Sequence, residues 1–240
     1  MNDFQSSSPI PPAGPRTEDD PADLARPLLD QLLRSPGTLL GRLDGPDAER
    51  CLRGLALVAL AGHVGYGLVV GSFSGGDQWW AAPLKIALGS FLCGAFCFPS
   101  LYIFVSQAGA QTRARHVLGM LLGMLASTGV LLAGFAPIAW IFSQSSNSVA
   151  LLAPLHYLVW IVSLLASARF FAAGLQRWHA KRGALTLLWL GIFVVTCLQM
   201  TTTLRPILGT KERFLDPERK LFLLHWGQVI QDEVREVEGR

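Results

Sequence analysis

Among the ionisable side chains inside the long apolar runs, His63, His156 and Lys85 are where chemistry would have to begin. An ionisable group at membrane depth is a functional candidate by default, because burying it in hydrocarbon is costly. Two histidines together can relay protons or bind a metal. Neither has a carboxylate or thiolate at supporting spacing, so no metal site is expected. Singly, each reads as a hydrogen-bonded packing histidine. Lys85 lies just beyond Pro83, near one end of its run, and Arg205 closes another run with Gln199 about a turn and a half before it. Lys85, Gln199 and Arg205 therefore form a candidate polar cluster in one leaflet. It has two readings: long cations snorkelling to headgroups, or a site for an anion or an anionic lipid headgroup.

Other motifs carry less chemistry. Gly62, Gly65 and Gly67 lack the spacing and the preceding strand of a dinucleotide loop. No Gly-x-Ser-x-Gly or Ser-His arrangement supports hydrolysis. Cys51, Cys93, Cys97 and Cys197 lack zinc-site spacing and read as small buried apolar residues. No catalytic residue, metal or cofactor is expected, and the chain reads as non-enzymatic. Pro99 and Pro137 each remove a backbone donor inside an apolar run and should kink it. With Tyr102, His63 and His156 they outline either a cavity or ordinary helix packing.

The elements that position these residues follow from where the acids are. Residues 78–211 contain no Asp and no Glu, and the whole chain is 51% hydrophobic and only 15% charged. Long apolar runs with sparse, grouped Lys and Arg mark a membrane domain, and the small net charge of +3 is not a nucleic-acid footprint. Five runs are long enough to span, at about 20 residues each: about 53–73, 81–107, 116–142, 149–171 and 184–204. Together they make a transmembrane domain over 51–205. Trp79, Trp80, Trp140, Trp178 and Trp189 fall near the ends of these runs, where interface anchors belong.

Basic residues set the orientation. Arg42, Arg50 and Arg53 precede the first span, Arg113 and Arg115 occupy the second loop, and Arg177, Lys181 and Arg182 occupy the fourth. The first and third loops have none. The positive-inside rule places the N-terminus in the cytoplasm and, with five spans, the C-terminus outside.

Both ends carry amphipathic patterns. Residues 1–21 lack an apolar signal region and read as a disordered tail. Residues 22–50 hold Leu24, Leu28, Leu29, Leu32 and Leu33, then Leu39, Leu40 and Leu43, which read as interfacial helices on the membrane or a docking element for a soluble partner. In the tail, 206–240, a helix over about 217–237 carries the stripe Leu223, Trp226, Ile230, Val234 and Val237. Small residues recur every fourth position at Gly67 and Gly71, at Gly89, Cys93 and Cys97, and at Gly119, Gly123 and Ser127. Such stripes let helices approach closely, within one chain or between two copies.

Pro83-Leu84-Lys85, Phe98-Pro99-Ser100-Leu101-Tyr102, Ala136-Pro137 and Thr203-Leu204-Arg205-Pro206-Ile207-Leu208-Gly209 together resemble a family of uncharacterised bacterial multipass proteins. Its members often carry the label "actin-binding WH2 domain-containing protein". The resemblance covers roughly residues 50–225 and implies a bacterial cytoplasmic (inner) membrane protein. Leu28-Leu29-Asp30-Gln31 followed by Leu39, Leu40, Arg42 and Leu43 is similar to a WH2 helix and its tail. Ser35-Pro36-Gly37 interrupts that pattern and the paired basic residues are missing, so actin binding is not expected. Five spans behind a cytoplasmic helix also resemble the Yip1-like membrane proteins in architecture.

The sequence thus predicts an all-α polytopic membrane protein: a bundle of five transmembrane helices with amphipathic helices at both ends. Its expected role is a scaffold or accessory subunit meeting membrane lipids or a partner protein, without nucleic acid. The alternative is a small transporter or channel subunit with a path along the kinked helices.

Overall fold

A backbone in hydrocarbon must bond its own polar groups, which a helix does and an open strand cannot. The computed structural model describes residues 27–74, 78–145, 149–179 and 184–203, and all their regular structure is helical. Two short helices, α1 (Leu28–Arg34) and α2 (Pro36–Gly41), precede five long ones: α3 (Ala48–Ser74), α4 (Gln78–Gln107), α5 (Ala114–Ser145), α6 (Val149–Arg177) and α7 (Ala184–Thr203).

The first four long helices, α3 to α6, are long and apolar enough to cross a membrane. The fifth, α7, has 20 residues, and its markedly apolar part is Leu187–Met200. The predicted runs recur inside these helices, but α3, α5 and α6 continue past them into polar sequence. Hydropathy marks how far the chain is apolar, whereas hydrogen bonding decides how far it stays helical. The end of α4 shows the stop. Gly109 adopts φ +83°, its N–H bonds to the Ser106 carbonyl at 3.0 Å, and the Ala110 N–H bonds to the Val105 carbonyl at 3.3 Å. These are the two bonds of a Schellman cap, which needs a left-handed residue at Gly109.

Long helix α5 is the hub: it packs most extensively on α3, then on α6, while α4 packs on α3 and α7 packs mainly on α4. Lipid is as apolar as the side chains, so close approach holds these helices together more than a hydrophobic force does. The small-residue positions Gly67, Gly71, Gly89, Cys93, Cys97, Gly119, Gly123 and Ser127 are all buried within the bundle. Gly67 lies against the Pro83 backbone, Gly119 against Leu43 and Gly123 against the Phe170 ring. At the crossing of α3 and α5, Gly62 lies directly against the Gly129 backbone.

The N-terminal hairpin differs from an interfacial helix. Leu39, Leu40 and Leu43 are wholly buried, and Leu32 nearly so, in the same core as Cys51, Val117, Met120 and Phe170. Their apolar face is covered by α3, α5 and α6 rather than left for a lipid surface. Ser35 at the N-cap of α2 and Pro36 at its first position turn the chain back on itself. Only Leu29 and Leu33, one turn apart on α1, stay exposed. Residues 22–26 and the C-terminal helix predicted over 217–237 lie outside the described residues.

The tryptophans also divide. Trp79, Trp80 and Trp140 are exposed near helix ends, as interface anchors would be. Trp178 and Trp189 are buried instead, packed on other aromatic rings. Nearness to the end of an apolar run does not say which face of the helix a residue occupies.

Candidate functional site

Helices α4 and α7 set the predicted polar cluster. Cys93 faces Cys197, and the Trp189 Nε1–H donates to the Ser100 hydroxyl at 3.2 Å. These two contacts fix an antiparallel register. Lys85, about two turns before Cys93, is level with the end of α7, and Gln199 lies about one turn deeper. The two therefore stand on neighbouring helices at one end of the bundle. Lys85 is only 2% exposed, wrapped by protein rather than extended toward a surface, and Gln199 is half-buried. Arg205 lies outside the described residues.

The predicted kink residues do not line one space. Pro99, Tyr102 and Pro137 all face outward. His63 is buried at the α3–α5 crossing, where its Nδ1–H donates to the Ala59 carbonyl of its own helix at 2.8 Å. His156 is buried elsewhere, its Nδ1 hydrogen-bonded to the Tyr66 hydroxyl at 2.7 Å with the rings edge to face. Whichever of the two groups donates, His156 Nε2 has no partner among the described residues. An unsatisfied buried group of this kind costs about 1–3 kcal/mol. Tyr66 was not visible as a partner because the bond joins residues 90 positions apart.

A second polar constellation, absent from the sequence expectations, closes the opposite end. Asp44 follows the N-terminal hairpin. Its carboxylate faces His116 Nε2 at 3.2 Å and Arg177 Nη2 at 3.4 Å. The Arg113 backbone N–H donates to His116 Nδ1 at 3.2 Å, and the Arg115 Nε–H donates to Nε2 at 3.3 Å, on the side of the ring that faces Asp44. The imidazole lies flat on Trp178, centroids 4.8 Å apart and planes 8° apart. The Arg177 guanidinium lies over Gly41, so a side chain there would require the guanidinium to shift. Arg42 reaches back to the Gln31 side chain at 3.3 Å. The hairpin is thus fastened by leucines beneath and by one carboxylate at its rim. A signal existed: the hairpin, the 108–113 loop and the end of α6 all fall on one side of the alternating loops, where an acid would find these bases.

An Asp44→Asn variant tests that fastening. The carboxylate is about half-exposed, so its loss should cost only about 1 kcal/mol. The effect should be local, with faster hydrogen exchange across 28–43 and unchanged exchange in α3 and α5. Uniform change through the bundle, or none, would show that Asp44 does not hold the hairpin.

The third cluster is sulfur. Cys93 Sγ and Cys197 Sγ are 2.9 Å apart, and Cys93 also approaches the Phe193 carbonyl at 3.8 Å. Cys97 stands one turn along α4 and is also buried. All four cysteines are free thiols. Among the described residues no group of three or more His, Cys, Asp or Glu is placed to hold a metal ion.

No family model matches the chain, and no curated protein or solved structure is similar to it.

Proposed function

We propose that this chain is a non-enzymatic scaffold or accessory subunit of a membrane, with five spans, a cytoplasmic N-terminus and an extracytoplasmic C-terminus. The observation that supports it is how the small residues are used. Gly62 on Gly129, Gly67 on Pro83 and Gly123 on Phe170 bring helices into direct contact, so the interior is closed at each of these crossings. A scaffold can be closed, whereas a transporter needs a route through. The surface left for a partner or for anionic headgroups is the exposed edge of the hairpin, at Leu29, Leu33 and Arg34, beside the arginine-rich end. The grouping of Arg113, Arg115 and Arg177 at that end favours the cytoplasmic side.

Cross-linking in native membranes through a photoreactive residue at position 29 or 33 should capture a protein or lipid, and proteoliposomes should show no solute flux. A monomer that captures nothing would remove the scaffold reading. The rival, a transporter subunit, draws on one observation: the unsatisfied Nε2 of His156 marks a buried polar point that an opened state would hydrate. Protection of a cysteine at position 156 from water-soluble thiol reagents under all conditions would exclude it.

A further inference from the structure

The sulfur cluster has a use that packing alone does not require. Helix α7 is the long helix with the fewest ties, since it rests mainly on α4. On that seam Cys93 is wholly buried and Cys197 is 7% exposed, with their sulfurs 2.9 Å apart. A disulfide has its sulfurs at about 2.05 Å, so closing the bond takes a movement of about 1 Å by the side chains. The surrounding register is already fixed by the bond from Trp189 of α7 to Ser100 of α4. The pair lies midway along α4, a helix that is apolar along its length. Water-soluble disulfides and thiols do not dissolve at that depth, whereas a hydrocarbon-soluble acceptor does.

We propose that Cys93 and Cys197 are a dithiol modification site, oxidised within the membrane by a two-electron acceptor of the quinone class to a disulfide that staples α7 to α4. The balance is simple. The Cys93 and Cys197 S–H bonds break and one S–S bond forms, and the two hydrogens with their electrons pass to the quinone, which leaves as quinol. Cys97 is one turn from Cys93 on the same helix and is not needed for the bridge.

The test uses the full chain in lipid nanodiscs with a short-chain benzoquinone added. Alkylation under denaturing conditions should fall from four thiols to two, and peptide mapping should find Cys93 joined to Cys197. Cys93→Ser and Cys197→Ser should each abolish the bridge, and Cys97→Ser should leave it. Acid-quenched native membranes supply a readout without any variant: the bridged fraction should fall when the cells' quinone is depleted. Four alkylated thiols after quinone treatment, a bridge from Cys93 to Cys97, or a bridged fraction indifferent to quinone depletion would each overturn the proposal.

Discussion

Replacing Gly62 by alanine should remove most of the folded protein. A Cβ at this position falls within contact distance of the carbonyl carbon, carbonyl oxygen and Cα of Gly129. These are backbone atoms in the middle of α5, so no rotamer change relieves the overlap, and the two helices must part along their whole contact. That contact is the most extensive in the bundle. Overpacking a side chain costs about 1–3 kcal/mol, and a clash between main chains belongs at or above the top of that range. His63 sits in the same crossing, next to Gly129, so its hydrogen bond to Ala59 would be disturbed as well. The controls are Gly134→Ala and Gly191→Ala, where an added Cβ meets nothing within 4 Å. Both lie inside helices, where alanine is favoured over glycine by about 0.5–1 kcal/mol. Thermal unfolding in detergent should therefore show the same substitution destabilising at 62 and neutral or stabilising at 134 and 191. Equal effects at all three would mean that α3 and α5 do not cross at Gly62.

The contrast between these glycines explains what the sequence could and could not reveal. The long helices were legible because each is a run of apolar residues bounded by polar loops. The small-residue spacing was legible too, and every such position is buried. Which face each helix turns inward was not. A helix between protein and lipid is apolar all round, so hydropathy has no stripe to follow. That is why Gly134 and Gly62 look alike in sequence, and why Trp189 resembled an anchor at a membrane surface. The same limit hid the Tyr66–His156 bond and the Cys93–Cys197 pair, each joining residues about 100 positions apart. The hairpin was misleading for a different reason. Its leucine spacing fits any apolar surface, lipid or protein, and Asp44 with its partners His116 and Arg177 decides for the bundle.

Loss of the Trp189 side chain should release α7 from the bundle while leaving α3, α5 and α6 assembled. Trp189 is wholly buried and stacks on Phe171 of α6 at 5.2 Å and on Phe193 at 5.3 Å, while its indole N–H donates to Ser100 of α4. One side chain thus ties α7 to both neighbours. Truncating a buried tryptophan typically costs about 3–5 kcal/mol. In lipid the transfer part of that cost shrinks, because acyl chains are as apolar as the core, so about 2–4 kcal/mol from lost packing and the lost hydrogen bond is expected. Since α7 depends mainly on α4, this loss should appear as local detachment. Alkylation of Cys197 by a membrane-permeant maleimide should rise at least tenfold in Trp189→Ala, with exchange in α5 unchanged. Trp189→Phe separates the two contributions. It keeps a ring against Phe171 but leaves the Ser100 hydroxyl without its indole donor, which should cost only about 1 kcal/mol. If Trp189→Ala left Cys197 as protected as in the parent, the aromatic stack would be incidental. The hold on α7 would then have to come from the cysteine seam.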